Sequence, residues 1–132
     1  GAAAPADARP ACGHTGRWDA CTIAERLDRS GLAPQPVTDA APHPLLGAPA
    51  AAWTVGNARL LVFVYPDKAA REAAQKKLPP AQFLTPQEEV GMNAMPTLIA
   101  SENLLALLDS RNEHQRERVA DAITAGPPQA DR

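Results

Sequence analysis

The sequence predicts an α+β fold: an antiparallel sheet of about four to five strands from two hairpin–helix (ββα) units, with an N-terminal helix packing on it. Three observations predict this. The run Arg59-Leu-Leu-Val-Phe-Val-Tyr65 is echoed 44 residues later by Asn103-Leu-Leu-Ala-Leu-Leu-Asp109. Each run follows a turn-like stretch, Gly56-Asn57 in one case and Ser101-Glu102-Asn103 in the other. Each precedes a helix-start signal and a charged, helical stretch.

The elements follow in chain order. Residues 1–11 are Ala/Pro-rich without periodicity, and residues 126–132 follow a helix stop with Pro127-Pro128. Both are expected to be disordered tails around a single domain over residues 12–125, because neither carries the large apolar groups that offset ordering entropy. Thr22-Ile-Ala-Glu25 reads as a capping box opening a helix from Ile23 to Ser30, which Gly31 stops. Between Leu32 and Pro49 lie five prolines, which exclude a helix and a long central strand and leave room for one edge strand near Pro36–Thr38. The first hairpin pairs Ala50–Val55 with Ala58–Tyr65 across Gly56-Asn57. Pro66 breaks the strand, and Asp67 caps a helix from Lys68 to Leu78 with an inward face of Ala70, Ala73 and Ala74. Residues 81–96 are irregular, anchored by Phe83 and Leu84. The second hairpin pairs Thr97–Ala100 with Leu104–Asp109, and Ser110-Arg-Asn-Glu113 caps a closing helix to Ala125 with Val119, Ala120 and Ile123 inward.

Composition removes several function classes. Thirteen basic against fifteen acidic residues give a net charge of −2 without any block of one sign, so no nucleic-acid footprint is expected. No apolar run approaches the roughly 18 residues of a membrane span. Cys12 and Cys21 enclose the eight residues Gly-His-Thr-Gly-Arg-Trp-Asp-Ala. A disulfide closing this short loop is the favoured reading and implies export, to the periplasm or cell envelope; two reduced structural thiols are the alternative. The segment upstream of Gly1 is a candidate carrier of an export signal or a lipid anchor; Cys12 itself lacks the apolar approach of a lipidated cysteine.

The strands are apolar on both faces. Leu60, Val62 and Val64 form one face of the first run, and Leu61, Phe63 and Tyr65 the other; Leu104, Ala106 and Leu108 oppose Leu105 and Leu107 in the second. A sheet covered on one side alone alternates apolar with polar. The second face therefore needs a cover. The proline-rich segment and the first helix are the expected one, and a partner (a second copy or another envelope protein) the alternative. The candidate interaction face is Trp53, Leu61, Phe63, Tyr65, Leu105 and Leu107.

No catalytic set is legible. There is no Gly-x-Ser-x-Gly, no phosphate loop and no dinucleotide fingerprint, and no cofactor is expected. Met92 and Met95 form a Met-x-x-Met pair that in an exported protein can offer thioethers to Cu(I), with His43 or His114 as a further ligand. Filling space under a loop is the commoner role of such methionines. A small hydrolase would need Glu88, Glu89 or Asp109 joined to a histidine. Tyr65-Pro66-Asp67 is accounted for as strand end, breaker and cap.

From Pro49 to Ala125 the layout resembles that of small uncharacterised bacterial envelope proteins, often lipoproteins. The shared residues are Val64-Tyr-Pro-Asp67, Pro96-Thr-Leu98 and Asn103-Leu-Leu-Ala106. The resemblance implies an exported location and carries no defined activity and no functional residues. The resulting expectation is a non-enzymatic exported binding domain acting through an apolar sheet face, with a copper or small-ligand carrier and a small hydrolase as alternatives.

Overall fold

A computed structural model describes residues 12–91 and 95–130. It holds helix α1 (Ala20–Arg29), strands β1 (Gln35–Pro36), β2 (Ala51–Val55) and β3 (Ala58–Val64), helix α2 (Lys68–Gln75), strands β4 (Thr97–Ser101) and β5 (Leu104–Asp109), and helix α3 (Glu113–Thr124). The strands form one antiparallel five-stranded sheet in the order β1-β2-β3-β5-β4. The α+β class and the antiparallel sheet are those the sequence predicts.

Helix ends are set by side chains close to the predicted ones, with two corrections. In α1 the cap is Asp19 rather than Thr22. The Asp19 carboxylate accepts the Thr22 N–H at 2.8 Å, and the Thr22 hydroxyl accepts the Asp19 N–H at 2.9 Å. Thr22 thus closes the box from its third helical position, because Trp18, one residue earlier, is already fixed to the sheet. In α3 the cap is Asn112, whose Oδ1 accepts the Gln115 N–H at 2.9 Å. Ser110 instead donates to Gln115 Oε1 at 2.5 Å. Asp67 caps α2 as expected, accepting from the Ala70 N–H at 2.8 Å. That helix ends at Gln75, and Leu78 turns in on a tighter bond from its N–H to the Gln75 carbonyl before Pro79. Gly31, at φ +75°, ends α1; the Leu32 N–H bonds to Leu27 O and the Gly31 N–H to Asp28 O, the Schellman pattern.

The repeat is real in the hairpins, but its register differs from the sequence echo. Strand β2 begins at Ala51 and β4 at Thr97, an offset of 46, and the same offset carries the turn Gly56-Asn57 onto Glu102-Asn103. Leu61 and Leu107, also 46 apart, are register partners in the central β3–β5 pair, so the pseudo-twofold axis of the two hairpins passes between them. The Leu-Leu pairs that align at 44 are neighbours of this register; both offsets are even, so the assignment of side chains to faces survives the slip.

The helices do not follow the hairpin symmetry. A twofold axis normal to the sheet would put α2 and α3 on one face. Instead Val119, Ala120, Ala122 and Ile123 of α3 join Ile23 and Leu27 of α1 over the first face, with Trp53, Leu60, Val62, Ile99, Ala106 and Leu108. The second face, Phe63, Leu105 and Leu107, is covered by Ala74 of α2 with Leu46 and Phe83. The first helix therefore does not help to cover the second face, while the proline-rich segment does so through Leu46. Along α2 the inward positions are Arg71 and Ala74, while Ala73 is exposed.

The N-terminal approach is stapled down. The Cys12–Cys21 disulfide closes it onto α1. Trp18, 2% exposed, lies under the Arg26 guanidinium, 5.0 Å from its ring centroid. The indole N–H donates to Ser101 Oγ at 3.1 Å, and Arg26 reaches on to Ala122 O at 2.9 Å.

Candidate functional site

Across the middle of the second face the strands place Leu98, Leu107, Leu61 and Ala52 in one row, successive register partners on β4, β5, β3 and β2. Leu107 and Ala52 are buried, while Leu61 and Leu98 are half-buried. Two grooves open along this row. One, about 600 Å³, runs between α2 and the Pro80–Thr85 segment and is lined by Leu78, Phe83, Leu84 and Leu98 with Glu72 and Lys76 on its rim. The other, about 320 Å³, lies under the Ala41–Pro44 loop and is lined by His43, Arg59, Leu61, Pro96, Leu107 and Asp109.

The second groove is roofed by a loop that closes on itself. His43 and Gly47 exchange backbone bonds of 2.8 and 2.9 Å. The His43 Nδ1 accepts the N–H groups of Leu45 and Leu46 at 3.1 and 3.2 Å. The imidazole edge meets Phe63 at 6.2 Å between centroids. These contacts aim Leu46 at the sheet and leave Leu45 outside at 44% exposure, the one large hydrophobic exposed among the described residues.

Of the candidate face, Leu61, Phe63, Tyr65, Leu105 and Leu107 come together on the second face. Trp53 does not join them: it pairs with Leu60 and belongs to the core under α1 and α3. Phe63, Leu105 and Leu107 are closed over, so the accessible part of the face is Leu61, Leu98, Phe83 and Tyr65 at its margins. Burial raises the Tyr65 hydroxyl pKa above its ordinary 10.0. The sequence reading omits Leu98 and Leu46. The alternation Thr97-Leu-Ile-Ala-Ser101 marks Leu98 as opposite in face to Ile99, which is the signal that finds it; Leu46, in an irregular loop, has no such signal.

For the carrier reading, Met92 lies outside the described residues. Met95 is half-buried, His43 is engaged in its loop and His114 is exposed on α3. Among the described residues no group of three or more His, Cys, Asp or Glu side chains is arranged to hold a metal. For the hydrolase reading, Glu88 accepts the Thr85 N–H at 2.9 Å within its own turn. Asp109 and His43 do line one groove, but no serine, threonine, cysteine or lysine lines it with them. Both cysteines are bridged, so no thiol nucleophile is available.

No helix among the described residues is long and apolar enough to cross a membrane. Compared with protein-family models, with curated proteins and with solved structures, the chain matches none.

Proposed function

We propose that this protein is a non-enzymatic, exported interaction domain of the periplasm or cell envelope that works through the second face of its sheet. The observation that carries this reading is the Leu98–Leu107–Leu61 row with an apolar groove at either end, roofed by a short loop that turns Leu45 outward. Contiguous apolar surface left open in a groove is where folded domains meet partners. Export is supported by the Cys12–Cys21 disulfide, since such bridges persist in oxidising compartments.

The test has two parts. Thiol trapping in intact cells should leave both cysteines unmodified until a reductant is added; full alkylation without reductant would remove the exported location. Pull-down from the envelope fraction should then give a stoichiometric partner, or a second copy, that is lost in Leu61→Glu while the thermal transition is kept. Identical retention by wild type and Leu61→Glu would remove the second face as the site.

A further inference from the structure

We propose that residues 38–49 form an acid-released flap over the second face, latched closed by His43 in its neutral form. The proposal rests on the interaction-domain reading of that face and adds its regulation. The flap is tethered at both ends: the Val37 N–H donates to Ala52 O and the Ala50 N–H to Val62 O, each at 2.8 Å. Between these points it makes no backbone bond to the sheet among the described residues; its backbone bonds there are the pair that His43 and Gly47 exchange. Side chains alone hold it to the face below. Leu46 packs on the cluster of Phe63, Leu105 and Leu107, and the His43 ring meets Phe63 at 6.2 Å between centroids. A segment anchored at its ends and held in the middle by two side chains is a two-state element that one local event can shift.

That event is protonation of the His43 ring. Its Nδ1 accepts two N–H groups, from Leu45 at 3.1 Å and from Leu46 at 3.2 Å. A ring nitrogen that accepts carries no proton, so the closed flap holds the neutral tautomer with its proton on Nε2. An imidazolium donates at both nitrogens and accepts at neither. Protonating Nδ1 therefore removes both bonds and sets three N–H groups against one another. The sign follows: the closed flap is favoured while the ring is neutral and is lost as pH falls through the range of about pH 8 to 5 in which imidazoles charge. The neighbouring charges do not reverse it. Arg59 of β3 and Asp109 of β5 line the same groove as register partners of opposite sign, so their effects on an imidazolium oppose each other. No other ionisable side chain among the described residues lines that groove with His43. Tyr65, packed on the cluster beneath Leu46, is uncharged throughout this range. Release withdraws Leu46 and uncovers Leu61, Phe63 and Leu107 beside the already exposed Leu45. The half-covered row then becomes an open one.

Nuclear magnetic resonance on the intact, oxidised protein tests the latch without any partner. At about pH 8 the His43 ring nitrogens should report the Nε2–H tautomer, and Leu46 methyl protons should show Overhauser contacts to the Phe63 ring. At about pH 5 those contacts should fall roughly fivefold or more, with the Leu45 and Leu46 amide shifts titrating together with the ring. His43→Asn offers an Oδ1 to the same two amides and does not titrate, so its flap should stay closed at both pH values. His43→Phe keeps a ring against Phe63 without an acceptor and should show the weakened contacts already at the higher pH. Leu46–Phe63 contacts that persist with the ring protonated would overturn the proposal. So would an acid loss of equal size in His43→Asn, which would put the trigger on another group. Envelope pull-downs at the two pH values separate the latch from the reading on which it rests. Capture by the wild type should be several-fold stronger at the lower pH and unchanged with pH in His43→Asn. Equal capture at both pH values would overturn the regulation and keep the interaction face. A flap that opens while no partner is lost in Leu61→Glu would keep the latch and remove the face.

Discussion

Asn103 holds Trp18 by both sides of its peptide backbone. Its Oδ1 accepts the Trp18 N–H at 2.8 Å and its Nδ2 donates to the Trp18 carbonyl at 2.9 Å, while the second Nδ2 proton reaches Tyr65 O at 2.8 Å. A buried turn residue, 3% exposed, thereby copies the hydrogen bonding of a β-strand for a segment 85 residues away. The indole bond to Ser101 doubles the attachment on the adjoining strand.

Replacing Asn103 by alanine would strand two carbonyls and one N–H in the interior. The expected cost is about 3 kcal/mol, since each buried group left unpaired costs of order 1 kcal/mol or more. Asn103→Asp should cost at least as much, because an ionised carboxylate donates nothing and would face the two carbonyls. Urea unfolding followed by tryptophan fluorescence measures both. A loss below about 1 kcal/mol in both variants would mean that water replaces the amide.

The two hairpin turns make the same demand on equivalent positions and meet it with different residues. Each has a positive φ at its first residue and none at its second: +59° at Gly56 and +48° at Glu102. This is the type II′ arrangement, which favours glycine at that first position. Glu102 occupies it with a Cβ, held by the Arg71 Nε bond to its carbonyl at 2.8 Å. Glu102→Gly should therefore stabilise the protein by roughly 1 kcal/mol. Gly56→Ala should destabilise it by a similar or larger amount. An added Cβ there meets Gln115 Nε2 at 3.0 Å, and that amide is bound to Val55 O at 2.7 Å. Thermal melts of the two single variants decide the matter; shifts of the same sign would remove the argument.

What the sequence made legible follows from how local its causes are. Strands β2 to β5, the turn at Gly56-Asn57 and the Asp67 cap depend on residues within a few positions of one another, and these appear where alternation and capping chemistry put them. The caps of α1 and α3 differ from the predicted ones because other attachments intervene: Trp18, just ahead of α1, is held by Asn103 85 residues away, and the Ser110 hydroxyl is taken by the side chain of Gln115 five residues on. Neither bond has a sequence signature. The placement of α2 and α3 on opposite faces is likewise non-local. Arg116 records it: the guanidinium is 2% exposed and ties α3 to Thr97 Oγ1 at 2.9 Å and to Thr85 O at 3.3 Å. Read in the sequence alone, that arginine is one more charge on a helix. The candidate face was half-legible for the same reason. Period-two alternation separates Leu61 and Phe63 from Leu60 and Val62, but assigning Trp53 needs the cross-strand register, and Trp53 opposes Leu60.

Tyr65 gives a pH dependence with a definite sign. Burial disfavours its phenolate and raises its pKa above 10.0 in the folded state. The unfolded chain, ionising at the ordinary value, releases its proton first as pH rises. The stabilising contribution is thus fully present below about pH 10 and is lost as pH climbs through the folded pKa. As the chain has one tyrosine, absorbance at the phenolate band follows this residue alone. The midpoint should lie above that of the urea-unfolded protein, and a midpoint equal to it would show the hydroxyl to be fully hydrated. Tyr65→Phe should abolish the tyrosine absorbance change and reduce the fall in stability above pH 10.

The Cys12–Cys21 bridge closes a loop whose other end is already anchored by Trp18, which bounds what reduction can do. The chain-entropy relation for a loop of this length gives about 2.5 kcal/mol as the bridge's contribution. Asn103 and Ser101 retain Trp18 after reduction, so the cost should fall on the approach to α1 rather than on the sheet. The reduced protein should keep its near-ultraviolet tryptophan signal and its α2–sheet packing, with a melting temperature lowered by several degrees. Hydrogen exchange should quicken in residues 12–21 while β3 and β5 stay protected. A double variant, Cys12→Ala with Cys21→Ala, should behave as the reduced wild type. Global exchange on reduction would show instead that the bridge, and not the Asn103–Trp18 clamp, holds the first helix to the sheet.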